Sequence, residues 1–439
     1  MRQRVLSTTA APLNALRGDA MPGMSRANFR REIVAAACLP FAIACVDMGV
    51  SGVVAKKAFD ASDTTVALLE AAPHAAAVTS IFWASLMHGR DRVRFVTGTQ
   101  LALVACVVLA ALVPVSPLGL GMLVALVVAA RCCFIGMVTG RTELWRSNYP
   151  RSARTRATGI FTIVTTIGLV LATTGLGLTL DRASESGRAV GAYRAFYIGA
   201  AIVACVGAWS YSRIRWRGRQ AALRAERALE RRERPGLRAM WRVLREDRDY
   251  RRYMNAQMVM GTANLAAQAP VVLAVTGIFD LPYTYALAAT AVVPKAMTVV
   301  AIPLWSRLLQ RLHIVEFRAI HSWSFVIGNG LVGVAVLTLN VPLLLIARGL
   351  VGGGMAGGNL AWSLGHHDFA PKEQSNTYMG VHVMLTGLRG SVAPLLGVAF
   401  FQLVGGWVFV LCAAGGAWGA LMFVRMRNDS IREARDGTT

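Results

Sequence analysis

Long apolar segments constrain this 439-residue chain more than any other feature of its sequence. Windows of about 20 mostly apolar residues, the length of a membrane-spanning helix, alternate along it with short polar connections. Hydrophobic residues make up 55% of the chain and charged residues only 16%, which is too apolar for a soluble protein of this length. We therefore predict an all-α integral membrane protein.

One pattern within the apolar segments occurs twice at a constant offset. The first copy has Ala130, Arg131, Gly136, Gly140 and Trp145, and the second has Ala347, Arg348, Gly353, Gly357 and Trp362. Each copy predicts a membrane helix that carries one arginine and a stripe of glycines. Internal repeats of this kind build many secondary transporters, in which the substrate site lies between the repeats near the bilayer midplane. The pattern indicates a duplicated membrane protein.

The charges of the connections predict the topology. Basic connections alternate with nearly charge-balanced ones, and an excess of lysine and arginine marks the cytoplasmic side. We predict twelve transmembrane helices in two pseudo-symmetric halves of six, with both termini cytoplasmic. The predicted parts are a basic N-terminal tail (1–32), a six-helix bundle (33–212), a basic linker (213–252), a second six-helix bundle (253–424) and a C-terminal tail (425–439). The net charge of +23 lies mainly in the tails and connections, which favours contact with the lipid bilayer over nucleic acid.

Three predicted helix limits bear on the candidate sites. The first helix is expected over residues 33–54, with a break at Pro40, and the second over residues 64–87. The fourth helix is expected over residues 118–140, so that Arg141 begins a basic cytoplasmic loop. Beyond the linker, the second half is expected to repeat this plan.

Ionisable side chains inside membrane helices are costly, and by default they face a partner or a cavity. The candidates for substrate binding or coupling are Asp47, Glu70, His74, Arg131, Lys295, Arg348 and Arg389. To these we add Asn264 and Gln268, which are i,i+4 neighbours on the seventh predicted helix and form a polar stripe. Hydrogen bonding between helices is the alternative interpretation of that stripe.

The acidic candidates suit proton chemistry. Asp47 lies within the first helix, where a carboxylate could exchange an arginine partner for a proton, or could form a fixed salt bridge. Glu70 and His74 are one helical turn apart and could relay a proton, although a histidine in a helix is more often a satisfied hydrogen-bonding group.

The basic candidates suit an anion. Arg131 and Arg348 occupy equivalent places in the two repeats, and guanidinium groups match carboxylates and phosphates. Arg131 could instead extend towards the membrane surface. Arg389, and Lys295 beside Pro294, are further candidates for a cavity lining.

On these residues the chain resembles the major facilitator superfamily. The resemblance lies in the helix count, the central linker and the repeat, and in an arginine followed by spaced glycines on the fourth helix: Arg131, Gly136 and Gly140. In that family this arginine is often linked to proton coupling or substrate binding. A gating-loop motif of the family is matched by Asp91 and Arg92.

The gating-loop motif is degenerate in this chain. Met87 and Arg94 stand where the family usually has glycines. The resemblance therefore implies the architecture more strongly than the details of gating, and it is nearly silent on the substrate.

Together these features predict a secondary active transporter of the bacterial inner membrane that works by alternating access. We expect proton coupling and, because cationic candidates outnumber acidic ones, a weak preference for an anionic organic substrate. The alternatives are a multidrug or metabolite efflux permease and a non-transporting membrane protein of transporter fold. No enzyme activity, cofactor or metal site is expected, since no serine, cysteine or metal-ligand pattern has the required spacing. A monomer is expected.

Overall fold

The computed structural model describes residues 21–228, 237–371 and 374–436, and every regular element within these ranges is helical. Up to residue 228 the helices are α1 (Gly23–Cys45), α2 (Val50–Phe59), α3 (Asp63–Val78), α4 (Ser80–Met87), α5 (Arg92–Leu112), α6 (Pro117–Asn148), α7 (Arg151–Ser184), α8 (Ala189–Ser212) and α9 (Arg219–Ala228).

From residue 237 onwards the helices are α10 (Leu237–Glu246), α11 (Arg248–Ala266), α12 (Gln268–Leu273), α13 (Tyr283–Leu287), α14 (Val293–Leu309), α15 (Ile314–His321), α16 (Trp323–Leu337), α17 (Val341–Leu364), α18 (Ser375–Val404) and α19 (Val408–Asp436). Short π-helical turns follow α12 and α13, and 3₁₀ turns follow α17 and α18.

Within the described ranges, nine helical stretches are long and apolar enough to cross a membrane. A tenth is added if α1 and α2, which meet at a bend of 40°, form one span. The protein is thus a multi-pass membrane protein, because each stretch reaches the thickness of the hydrocarbon core.

The two copies of the repeated pattern lie on α6 and α17, and both helices begin in a similar way. Ser116 caps α6 by accepting a hydrogen bond from the backbone N–H of Gly119, and Asn340 caps α17 by accepting one from Leu343. A proline lies in the first turn of each helix, where its missing N–H costs nothing. The duplicated sequence therefore forms duplicated helices.

The glycines of the repeat allow close packing between helices. A Cβ atom on Gly140 would lie 2.6 Å from the side chain of Val96 on α5, and one on Gly357 would lie 2.3 Å from the ring of His321 on α15. Any larger residue would push these helices apart, which explains the small residues at both positions.

The described helices fall into two compact units. Among the described residues, unit 1 comprises 21–47 and 79–228, and unit 2 comprises 48–78, 237–371 and 374–436. In unit 1, α1 packs against α7 and α8, and α5 packs against α6 and α8. In unit 2, α17 packs against α14 and α16, while α18 packs against α3 and α11.

The first predicted helix differs from the observed one in its start and its break. Helix α1 begins at Gly23 instead of residue 33 and runs through Pro40, and the chain bends only after Cys45. Gly49 provides that bend with a φ of 81°, a conformation that glycine adopts without strain. Residues 48–78, which the sequence assigned to the N-terminal bundle, pack within unit 2.

Other predicted connections also prove to be helical. Helix α6 continues to Asn148, so Arg141 lies on a helix and not in a loop. Part of the predicted linker forms α9 and α10, and α19 continues to Asp436 through the predicted C-terminal tail. Residues 1–20, 229–236, 372–373 and 437–439, which include parts of both predicted tails and of the linker, lie outside the described residues.

Candidate functional site

A carboxylate–guanidinium pair lies in unit 1 between the end of α1 and the middle of α6. Arg131 Nη1 is 3.3 Å from Asp47 Oδ1, and the two side chains are only 11% and 9% exposed. The guanidinium group also lies over the ring of Phe134, 5.4 Å from its centroid. The structure therefore brings together two of the predicted site residues, and it gives Asp47 an arginine partner as the sequence suggested.

The backbone at the end of α1 is held in place by a tyrosine. The hydroxyl of Tyr197 on α8 donates a hydrogen bond of 2.8 Å to the carbonyl of Cys45. Tyr197 is fully buried, and its ring contacts Tyr193 edge-to-face. The last turn of α1, and with it the backbone that leads to Asp47, is thus fixed against the rest of unit 1.

A second acid, Glu32, was missed by the sequence analysis. It lies on α1 and is only 3% exposed. Its carboxylate accepts hydrogen bonds from Trp145 Nε1 and from the Tyr149 hydroxyl, the latter at 3.1 Å. The run Arg30-Arg31-Glu32 resembles a solvated tail, but on a helix only one face of such a run is turned to the interior, and Glu32 occupies that face.

Glu32 lines a cavity inside unit 1. The cavity has a volume of about 50 Å³. Its polar lining includes Gln100, Arg141 and Tyr211, and Phe134 and Phe161 contribute aromatic walls. At this volume the cavity has room for a few water molecules, and it is far smaller than a typical small-molecule site of roughly 300–1,000 Å³.

Arg348 is the centre of a polar network in unit 2. It is 3% exposed, its Nε donates a hydrogen bond of 2.9 Å to the carbonyl of Ala289, and its Nη2 lies 3.5 Å from Gln268 Oε1. Glu70 interacts with it electrostatically. The second arginine of the repeat is therefore surrounded mainly by neutral oxygen atoms, in contrast to Arg131.

The predicted polar stripe lies inside unit 2. Gln268 Nε2 donates to the carbonyl of Asn264 at 3.2 Å, and Asn329 Nδ2 donates to Asn264 Oδ1 at 3.3 Å. Both stripe residues are buried, at 8% and 6% exposure. The stripe thus links α11 to α16 through Asn329 and extends to Arg348 through Gln268.

Glu70 and His74 lie on α3, which packs within unit 2. Glu70 is 1% exposed, and its Oε1 accepts a hydrogen bond of 2.7 Å from the backbone N–H of Gly49. His74 packs closely on α18, where a Cβ atom on Gly390 would be 2.3 Å from the imidazole. Through its hydrogen bond to Gly49, the carboxylate of Glu70 holds the bend that follows α1 in place.

The two remaining basic candidates differ in burial. Arg389 on α18 is 7% exposed, and its Nη1 donates a hydrogen bond of 2.6 Å to the carbonyl of Gln257. Lys295 on α14 is only partly buried. Both belong to unit 2.

The predicted gating residues form a polar network in unit 1. Asp91 caps α5 by accepting hydrogen bonds from the backbone N–H groups of Val93 and Arg94, at 2.9 and 3.1 Å. Its other oxygen is 2.8 Å from Arg219 Nε. This carboxylate therefore connects the start of α5 to the start of α9.

Arg92 is the more deeply buried member of that network. Its Nε is 2.6 Å from Glu143 Oε2, its Nη2 contacts Glu226 Oε1, and its Nη1 donates to the carbonyl of Met87. Its side chain is 4% exposed. The partners Glu143 and Glu226 could not be inferred from the sequence, because both lie far from Arg92 along the chain.

No group of three or more metal-ligating side chains occurs among the residues that the structure describes. The ionisable residues form pairs and networks inside helical units, and these units are built from membrane-spanning stretches. Fold and buried polar groups together define a multi-pass membrane protein with ionisable residues inside its helical units.

Comparison with known families gives the class a name. Residues 33–320 match the sequence profile of the Major Facilitator Superfamily, and the chain belongs to that superfamily. No curated protein sequence matches it significantly.

Solved structures of transporters share the fold. A mutant of the nucleoside transporter NupG superposes with a TM-score of 0.71 at 13% identity, covering 91% of this chain and 100% of that chain. A POT family transporter in complex with a thioalcohol-conjugated peptide gives 0.66 at 11% identity, with coverages of 92% and 96%. A D-xylose-proton symporter gives 0.64 at 14% identity, with coverages of 90% and 96%. At such identities the likeness establishes the fold alone.

Proposed function

We propose that this protein is a secondary active transporter that carries a small solute across the bacterial plasma membrane by alternating access. Its superfamily and its fold neighbours are transporters and not enzymes. We further propose a monomer with twelve spans in two halves of six and both termini cytoplasmic. That orientation rests on the basic connections in the sequence.

The helices support the proposed number of spans. One of the nine spanning stretches, Thr377–Asp429, contains parts of both α18 and α19 and counts as two spans. The bent pair of α1 and α2 supplies another. Helices α3 and α4 have 16 and 8 residues, each too short to count separately, but together they have the length of one further span.

The observation that carries the proposed proton coupling is the contact between Asp47 and Arg131. Burial disfavours a charged carboxylate, and an adjacent guanidinium favours it. Protonation of Asp47 removes the attraction and releases Arg131, and the carboxylate or phosphate of a substrate is then able to bind the freed guanidinium group. A proton and an anionic solute thereby bind in a coupled manner.

The charge balance of the buried candidates supports a preference for anionic organic solutes. Arg131 and Arg348 are both mostly buried, and of these two only Arg131 has a carboxylate within 4 Å among the residues described. A basic surplus in a low-dielectric interior attracts anions more strongly than the same surplus in water.

The test is solute flux into proteoliposomes under an imposed proton gradient. A panel of organic anions, sugars and nucleosides first identifies a transported solute. We expect Asp47→Asn to lose the dependence of flux on the proton gradient, and Arg131→Ala to lose most of the flux.

The matched control is Asp63→Asn. Asp63 also forms an ion pair, 2.8 Å from Lys56, but with partly exposed side chains of 26% and 29%. Gradient-driven flux that is unchanged in both Asp47→Asn and Arg131→Ala would remove the pair from the mechanism. No flux of any solute in the wild-type protein would overturn the transport proposal itself.

A further inference from the structure

Unit 2 contains a buried basic cluster, which we define as Arg318, His366, His382, Arg389 and Tyr253. The exposed fractions of these residues are 1%, 4%, 0%, 7% and 0%. Four of the five side chains are basic and the fifth is a hydroxyl donor. The cluster is distinct from Arg348 and its hydrogen-bond partners.

The members come from several elements, of which α11 packs against α18 and α15 packs against α17. Tyr253 lies on α11, Arg318 on α15, and His382 and Arg389 on α18, while His366 lies in the turn after α17. His382 and Arg389 are seven residues apart and so share one face of α18. The Tyr253 hydroxyl reaches the turn that carries His366, since a Cβ atom on the adjacent Gly365 would be 2.7 Å from it.

Electrostatic interactions connect the same groups. Arg318 and Arg389 act on each other, and both act on His382. All of these interactions are between basic groups. The cluster therefore concentrates positive charge in the interior of unit 2, where screening by water is weak.

Polar atoms of the cluster have no partner among the described residues. They are Nε of Arg318, Nε of Arg389, both ring nitrogens of His382, Nδ1 of His366 and the Tyr253 hydroxyl. Arg389 keeps one hydrogen bond, from Nη1 to the carbonyl of Gln257. Neither Arg318 nor Arg389 forms an ion pair with any residue in the described part of the chain.

An arrangement of this kind is unfavourable by itself. A buried charge is normally paired, and leaving one without a partner costs several kcal/mol. Two other buried arginines obey the rule, since Arg92 contacts Glu143 and Arg131 contacts Asp47, and Arg348 has carbonyl and amide oxygens as acceptors instead. Two guanidinium groups in one cluster repel each other in addition, so the cluster requires a negative charge that the described side chains do not supply.

We propose that the buried basic cluster binds a small inorganic anion of the halide class, with Arg318 and Arg389 as its principal ligands. The anion is compact, because every side chain of the cluster is nearly inaccessible to solvent. The anion accepts hydrogen bonds from N–H and O–H groups that otherwise have no acceptor. By binding both Arg318 and Arg389, it connects α15 to α18 inside unit 2. This role is separate from the transported solute, so it does not depend on the proposed function.

The test measures thermal unfolding of the purified full-length protein in detergent. Sodium chloride is titrated against sodium gluconate at constant ionic strength, because gluconate is too large for the cluster. We expect a saturable rise of the melting temperature with chloride, as for any ligand that binds only the folded state. Arg318→Gln and Arg389→Gln should each lose this rise.

Arg252→Gln is the matched control. Arg252 pairs with Asp429 in a partly exposed position, at 36% and 41% exposure, and this variant should keep the chloride response. Equal melting temperatures of the wild-type protein in the two salts would overturn the proposal. So would a chloride response that is retained in both cluster variants.

A second measurement covers the case in which the variants do not fold. Crystals of the wild-type protein grown in bromide should show an anomalous peak between the guanidinium groups of Arg318 and Arg389. A fully occupied bromide elsewhere, with none between these groups, would contradict the assignment.

Discussion

Replacement of Arg92 by alanine tests whether the polar network at the start of α5 stabilises unit 1. The side chain is 4% exposed and forms two ion pairs, with Glu143 at 35% exposure and Glu226 at 18%. A hydrogen bond to a charged group contributes about 1.5–3 kcal/mol when buried, whereas an exposed ion pair contributes about 0.2–1 kcal/mol. The pair with Glu226 should therefore dominate, and Arg92→Ala should lower the free energy of unfolding by about 2–4 kcal/mol.

The assay is unfolding in detergent, combined with double-mutant cycles. The coupling energy between Arg92→Ala and Glu226→Gln should exceed that between Arg92→Ala and Glu143→Gln. Arg94→Ala is the control, because Arg94 is a neighbouring arginine with an exposed side chain. The reasoning is refuted if Arg94→Ala destabilises the protein as much as Arg92→Ala, or if the larger coupling is to Glu143.

Further substitutions test one close packing contact and the hydrogen bonds of Glu32 and Tyr197. Gly357→Ala places a methyl group 2.3 Å from the His321 ring and should cost about 1–3 kcal/mol, while Gly353→Ala, whose nearest neighbour lies at 3.8 Å, should be nearly neutral in a thermal melt. Glu32→Leu leaves two hydrogen-bond donors without an acceptor and should lower the melting temperature more than Glu32→Gln; equal effects would show that these hydrogen bonds contribute little. Tyr197→Phe removes the hydrogen bond to the last carbonyl of α1 and should cost about 1 kcal/mol, and an unchanged melt would contradict this.

The sequence predicted the helical architecture well because a bilayer imposes strong rules on it. Apolar length determines where a helix can span, and the repeated pattern correctly indicated two equivalent helices, α6 and α17. The rule that buried charges seek partners also suggested an arginine for Asp47, and the structure places Arg131 beside it. The functional roles of both residues stay predictions.

Helix ends and long-range partners could not be predicted in the same way. The charged residues around Glu32 concealed the first part of α1, because a charge run on one face of a helix looks like a polar tail in a linear sequence. Glu226 is a partner of Arg92 only through the fold of α9, since the two are far apart in the chain. The position of residues 48–78 within unit 2 depends on a bend at Gly49 that no hydrophobic pattern encodes.

The two arginines of the repeat have different surroundings. Arg131 contacts the carboxylate of Asp47, while Arg348 donates to the carbonyl of Ala289 and lies near the amide of Gln268. Both copies of the repeated pattern contain glycines that allow close helix packing, Gly140 and Gly357, whereas the neighbours of the arginine differ between the copies. The same residue type at the same place in the pattern therefore forms an ion pair in one copy and hydrogen bonds to neutral groups in the other, and we expect a substitution at one position to perturb a different set of contacts from the same substitution at the other.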